Sequence, residues 1–198
     1  MATFKIAIDG PAGAGKSTVA KAVAQKLGMI YIDTGAMYRA VGLGAVRRGI
    51  DTSNAKAVEE ILDMLDIGIC HSDEGQQIYL NGENVSKEIR LPEISVAASN
   101  VAVIPVVRLK LVEIQRALAE KTDVIMDGRD IGTYVFPGAD VKIYLDADVE
   151  ERAKRRFKQN QEKGIDMSYK EVLDNIKKRD ENDKNKEIGA LKVATDAV

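Results

Sequence analysis

The chain has one cysteine, Cys70, one histidine, His71, and no tryptophan among its 198 residues. A single cysteine excludes an intramolecular disulfide and a multi-cysteine zinc site, and Cys70 is expected to be a small buried apolar residue. One histidine in a polar stretch is expected at the surface, and it leaves no serine–histidine–carboxylate arrangement to consider. No apolar run approaches the ~18 residues of a membrane-spanning helix. The N-terminus lacks a basic segment followed by an apolar core, so no secretory signal is visible and the cytosol is the default compartment. Neither sign of charge dominates: 29 Lys and Arg face 31 Asp and Glu, a net charge of −2. That balance argues against a general binder of polymeric nucleic acid or of membrane surfaces. Aromatic residues make up only 5%, too sparse for a base-stacking platform. An Asn-Lys-x-Asp guanine-reading motif is missing, which speaks against a regulatory GTPase. Repeats and low-complexity segments are also absent.

What is present is organised around Gly10-Pro11-Ala12-Gly13-Ala14-Gly15-Lys16-Ser17-Thr18. This stretch fits G-x-x-x-x-G-K-[ST], the phosphate-binding loop. Phe4 to Ile8 before it reads as a short buried strand. Lys16 to Leu27 after it reads as a helix with Val19, Ala20, Val23, Ala24 and Leu27 on one face. Glycines let the backbone approach a polyphosphate, whose charge the N–H groups and the helix N-terminus favour. Lys16 would reach the β- and γ-phosphates, and the Ser17 hydroxyl would ligate Mg²⁺. The loop points to a nucleoside triphosphate without saying what it is used for.

Further along, strands and helices alternate, which predicts an α/β fold with a parallel sheet core flanked by helices. Strands are expected at 29–32, 123–126 and 141–145, and helices at 36–48, 55–65, 92–102, 106–120, 149–164 and 169–180. Residues 66–89 break the alternation. Short strand-like runs flank Asn81-Gly82, a strong hairpin signal, so a small β-containing insert is expected there. The final residues look like the approach to another strand. In open α/β sheets, ligands bind at the carboxyl ends of strands, which puts Asp33, Thr34 and Asp127 near the phosphate loop. Asp127 is a candidate for the magnesium shell, with turn capping as the plainer role. Arg152, Arg155 and Arg156 lie at i, i+3 and i+4 and so share a helix face. With Arg129 and Arg179 they could surround a transferring phosphoryl group, because the guanidinium fork grips phosphate oxygens. A merely solvated helix face is the alternative.

Several motifs together resemble bacterial cytidylate kinases: residues 8–17, Asp33-Thr34-Gly35-Ala36-Met37-Tyr38-Arg39, Asp127-Gly128-Arg129-Asp130-Ile131-Gly132-Thr133, Phe136-Pro137, Glu151-Arg152-Ala153 with Arg155-Arg156, and Arg179-Asp180 with Asp183. The likeness is collinear over essentially the whole chain. It implies transfer of the γ-phosphoryl group of ATP to CMP or dCMP, with ATP and Mg²⁺ as cofactors and a monomeric enzyme. The implied fold has a phosphate-loop core at 1–35 and 100–198, a lid at about 149–185, and an NMP-binding region at 36–99 with its insert at about 66–90. By the same resemblance Thr34, Arg39 and Arg129 hold the acceptor phosphate. Ser99, Arg108 and Asp130 read cytosine, and Arg179 and Asp183 contact the sugar and phosphate region. Lys186 stands where the family usually has a further arginine; it keeps the charge and loses the fork. The family's final strand and helix, near which its adenine site lies, are not found after Val198. Another small phosphate-loop kinase, for AMP, dTMP or a small metabolite, and an ATP-dependent switch protein without an acceptor are the competing readings.

Overall fold

The computed structural model describes residues 3–72 and 75–198. Residues 1–2 of the expected core segment and 73–74 of the expected insert therefore lie outside the described residues. Two sheets organise the described residues. The larger has four parallel strands in the order β2-β6-β1-β7, formed by β1 (Lys5–Asp9), β2 (Ile30–Asp33), β6 (Val124–Gly128) and β7 (Val141–Tyr144). The smaller is antiparallel, β3 (Ile67–Ser72), β4 (Gly75–Leu80) and β5 (Glu83–Asn84). Parallel strands covered on both faces read as continuous apolar runs, and β6 is buried throughout.

The helices follow in chain order: α1 (Lys16–Leu27), α2 (Thr34–Val46), α3 (Ala55–Leu62), α4 (Pro92–Val101), α5 (Pro105–Leu118), α6 (Val149–Glu162) and α7 (Tyr169–Lys184). Local chemistry sets their ends. Asp33 caps α2 by accepting from Ala36 N–H, Asn54 caps α3, and Pro92 and Pro105 open α4 and α5 at N1. Ser168 and Glu171 close a reciprocal capping box at the start of α7. In β4–β5, Asn81 (φ 51°) and Gly82 (φ 80°) both take left-handed conformations, the requirement of a tight two-residue hairpin turn.

The core comes in connected pieces. Met37, Val41, Leu43, Val58, Ile78, Ile89 and Leu111 join α2, α3, α5 and the insert. Val112, Val124, Met126 and Ile131 fill the space under the main sheet. The pair α6–α7 has a small cluster of its own, Ala153, Val172 and Ile176, beside an edge-to-face Phe157–Tyr169 contact with ring centroids 6.0 Å apart.

The expected elements occur with shifted ends, and three expectations need correction. Cys70 is exposed rather than buried. It faces away from half-buried Ile69 on β3, because neighbouring strand residues point to opposite sides. In α1 only Ala20, Val23 and Ala24 pack on the sheet, while Val19 and Leu27 stay exposed. Val19 lies about 100° round the helix from Ala20, and Leu27 sits in the last turn. Helix α7 runs to Lys184, one turn beyond the expected end. At the other edge of the sheet, Val198 N–H donates to Lys142 and Val198 O accepts from Tyr144 N–H. This is the pairing of a parallel strand, in line with the expected approach.

Candidate active site

The phosphate loop leaves β1 at Gly10, whose φ is +143°. A side chain there would run into the Leu145 backbone, so only glycine lets the loop cross the end of β7. Lys16 opens α1, and its ammonium is buried, donating to the Gly10 and Pro11 carbonyls at 2.8 Å each. Burial first, and then the Arg129 charge, pull its pKa down to about 7. The N–H groups of Lys16 and Ser17, in the first helical turn, have no intrahelical acceptor. Buried cation, free donors and glycine-made clearance together fit a polyphosphate.

Asp127, at the end of β6, accepts from Ser17 Oγ at 2.8 Å and from Tyr31 Oη at 2.9 Å. It does not cap the following turn. Burial, followed by the Asp33 charge, raises its carboxyl to about 6. A hydroxyl and a carboxylate meeting at the mouth of the loop are the hard oxygen donors that magnesium takes, so these residues fit the ion.

A second group forms where the chain leaves β6. Thr34 Oγ1 donates to the Asp127 carbonyl at 2.7 Å. Arg129 Nε donates to Asp183 Oδ2 at 2.6 Å, and Lys186 Nζ donates to Asp183 Oδ1 at 2.6 Å. Burial alone would raise the Asp183 carboxyl, but Arg129, Lys186 and Arg179 hold it well below the usual carboxylate range. Arg108, from α5, pairs with Asp130 in full burial and donates to Tyr38 Oη at 3.1 Å. Burial raises the Asp130 carboxyl to about 6 against the pull of Arg108 and Lys186. Ser99 Oγ accepts from Asn182 of α7 at 3.1 Å. These residues surround a cavity of about 40 Å³, too small for a pyrimidine ring.

Facing it is a cavity of about 740 Å³ between the phosphate loop, α4, α6 and α7. Arg39, Arg152, Arg155, Arg156 and Arg179 line it with Lys16 and Ser17. Arg152 pairs with Asp180 at 2.6 Å and donates to the Ala12 carbonyl at 3.0 Å, while Arg155 donates to the Gly13 carbonyl at 2.9 Å. Arg152 and Arg155 are thus turned onto the loop, and Arg156 lines the same cavity. Burial, then Arg179 and Arg90, lower the Arg39 pKa to about 9. Burial, then Arg129, lower that of Arg179 to about 10. The crowding of cations raises the demand for an anion.

Of the candidate site residues, Gly10, Pro11, Ala14 and Asp127 line neither cavity, and the rest line one or both; Gly10 and Pro11 hold Lys16, and Asp127 holds Ser17. Sequence reasoning passed over four others. Asp9 accepts from Ile131 and Gly132 N–H at 2.8 and 2.7 Å, tying the end of β1 to the π-helical turn Ile131–Val135 after Asp130. As a carboxylate ending a strand, it carried the same signal that singled out Asp127. Arg90 pairs with Asp33 at 2.8 Å, and buried Gln115 lines the smaller cavity. With Tyr31, these two meet the site through tertiary packing and have no marking pattern in the sequence.

A phosphate loop on the first strand of a parallel sheet, a carboxylate at the end of a neighbouring strand and an arginine-bearing helix pair over the loop define the class of phosphate-loop kinases. Comparison with known proteins is narrower. The family model described as Cytidylate kinase matches residues 6–198. A protein named Cytidylate kinase from Caldicellulosiruptor bescii is 53% identical over 198 residues, covering 100% of this chain and 88% of that protein. Another of that name from Bacillus subtilis is 48% identical over 195 residues, 98% of this chain and 87% of that protein. The chain belongs to the cytidylate kinase family. Among solved structures, a shikimate kinase from Acinetobacter baumannii in complex with shikimate matches with a TM-score of 0.40 at 16% identity, over 91% of this chain and 78% of that one. That likeness adds nothing to the assignment.

Proposed function

We propose that this enzyme transfers the γ-phosphoryl group of ATP to CMP or dCMP, giving ADP and CDP or dCDP, and that it works as a monomer in the cytosol, as the family resemblance implies. The observation that carries the choice of acceptor is the buried Arg108–Asp130 pair next to Arg129 and Ser99. Cytosine offers an amino donor at N4 and acceptors at N3 and O2. Asp130 can accept from N4, and Arg108 and Ser99 can donate to the acceptors. Asn182 donating to Ser99 Oγ leaves the serine proton free for that purpose. Uracil reverses the groups at positions 3 and 4 and would leave buried partners unpaired.

In this reading the segments 1–35 and 100–198 are the core, 36–99 is the acceptor region with its insert at about 66–90, and about 149–185 is the lid. Thr34, Arg39 and Arg129 hold the acceptor phosphate, with Arg179, Asp183 and Lys186 around its sugar end. Gly10 to Thr18 cradle the triphosphate. An oxygen of the acceptor phosphate attacks the γ-phosphorus, and the bond to the β–γ bridging oxygen breaks. Little covalent chemistry falls to the protein. Lys16, Arg129, Arg152, Arg155, Arg156 and Arg179 compensate charge on the transferring group, while the lid keeps water away. Ser17 and Asp127 are the residues to hold magnesium, which when bound draws charge from the phosphate oxygens.

The test is Asp130→Asn, with kcat/KM measured for CMP and UMP. An amide can donate as well as accept, so the variant should lose efficiency on CMP and gain on UMP relative to it. The loss of discrimination should be about 2–4 kcal/mol, the scale of a charged hydrogen bond left unpaired. An unchanged ratio removes Asp130 from base reading.

A further inference from the structure

The turn after the lid helix touches the base-reading pair, a contact that the motifs do not disclose and whose meaning for function rests on Asp130 reading the base. Past Lys184 the chain folds back on itself. Leu191 N–H donates to the Asp183 carbonyl at 2.7 Å, the Leu191 side chain is buried, and Lys186 is paired with Asp183. Between these anchors stands Gly189, in the left-handed region at φ +64°. A Cβ there would fall inside the van der Waals envelopes of Asp130 Oδ2 and Arg108 Nη2, and 2.8 Å from Asp130 Cγ. The first two atoms are those of the buried ion pair. Backbone conformation alone does not produce this closeness. Gly49 has φ +68° and nothing within 4 Å of its own added Cβ.

We propose that Gly189 is a specificity-determining positioning residue for base choice. Its bare backbone lets the turn lie directly on the Arg108–Asp130 pair and holds the carboxylate where the exocyclic amine of cytosine meets it. A methyl group at this point has to move either the carboxylate or the turn. Both side chains are buried and paired with each other, so a shift away from the turn carries them into the small cavity they line, where the base would be read. The phosphate loop has no part in this contact, so ATP handling should be spared.

The experiment measures kcat/KM for CMP and UMP and KM for ATP in Gly189→Ala, Gly189→Asn, Gly49→Ala and Asp130→Asn. Asparagine enters the left-handed region more readily than alanine, so it carries the test if the alanine variant fails to fold. Gly49→Ala imposes the same backbone strain without the contact. Both Gly189 variants should raise KM for CMP and lower the CMP/UMP ratio by about tenfold or more. KM for ATP should stay at its wild-type value, and Gly49→Ala should keep the wild-type ratio. A wild-type ratio in folded Gly189 variants, with Asp130→Asn lowering it, overturns the role of Gly189 alone. Equal loss in Gly49→Ala overturns it as well, by assigning the effect to strain. A ratio unmoved by Asp130→Asn overturns the base-reading assignment and this proposal together.

Discussion

Replacing Asp183 by asparagine tests the electrostatics of the acceptor half directly. Asp183 is 4% exposed and accepts from Arg129 and Lys186, each at 2.6 Å. Two effects oppose each other. Removing a buried carboxylate returns its desolvation cost. It also leaves buried Lys186 and, at 16% side-chain exposure, Arg129 without their counter-charge. The downward displacement of the Asp183 pKa says which effect wins, because attraction from the three cations exceeds the cost of burial. Breaking a buried pair from one side costs about 3–5 kcal/mol. At about 2–4 °C per kcal/mol for a chain of this size, the melting temperature should fall by about 6–20 °C. The pH dependence has a definite sign. A carboxyl depressed on folding contributes stability above its ordinary value of 3.8, and loses it as pH falls toward the folded value. The gap between wild type and Asp183→Asn should therefore be flat from about pH 5 to 8 and narrow below about 4. Inorganic phosphate should restore part of the loss, since an anion replaces the missing charge. Calorimetric melts across pH, with and without phosphate, make the measurement. A variant that melts at or above wild type at pH 7, or a gap that widens in acid, refutes the reasoning.

Two more outcomes are expected. Lys16→Ala should lower phosphoryl transfer by about 10³-fold or more while the protein stays folded, as seen by turnover against circular dichroism and melting; near wild-type turnover in a folded variant would remove the lysine from the reaction. The Asp130 carboxyl, raised to about 6 by burial, should make the CMP/UMP ratio of kcat/KM fall as pH is lowered through about 6, because the protonated acid is a weaker acceptor for N4 and gains an O–H that can donate to O4 of uracil; dividing by UMP cancels the titration of the substrate phosphate, and a ratio flat from pH 5 to 8 contradicts the assignment.

The parts of this site that could be read from the sequence are those in which local pattern and function coincide. The strand, loop and helix around Lys16 are contiguous, so one motif specified them together. Asp33 and Asp127 lie at the carboxyl ends of β2 and β6, and Thr34 and Asp130 just after them, where the topology of a parallel sheet directs ligands. The hairpin was visible because Asn81-Gly82 is a demand of local backbone geometry. Other features depend on distant contacts. Cys70 was expected inside because a lone thiol behaves as a small hydrophobe, yet its environment is set by the register of β3 on β4, where it lies opposite Gln77. Tyr31 reaches Asp127 across 96 residues, and Gly189 matters only because a turn 59 positions after Asp130 packs against it. Past Asp180 the residues to Lys186 are a stretch of mixed charge with no apolar periodicity to mark a helix, yet inside the fold Asp183 is buried against Arg129.

Under the proposed assignment of donor and acceptor, the two halves of the site satisfy their cations differently, and the difference bears on selectivity. In the donor half, Lys16 and Arg155 rest on the backbone carbonyls of Gly10, Pro11 and Gly13, while Arg152 is shared between the Ala12 carbonyl and the Asp180 carboxylate. A carbonyl is a partial charge, and a phosphate displaces it at little electrostatic cost. In the acceptor half, Arg108 and Arg129 are matched with full carboxylates, Asp130 and Asp183, around a cavity of only about 40 Å³. A ligand entering there has to offer the arginines and the carboxylates replacements at once. A bare phosphate can satisfy Arg129 but brings no donor that could replace Arg108 at Asp130. A uridine nucleotide adds a ring and presents an acceptor where a donor is required. Cytidine monophosphate supplies anion, base acceptors and amino donor together, so opening this pocket costs least with the ligand whose groups match every charge that opening exposes.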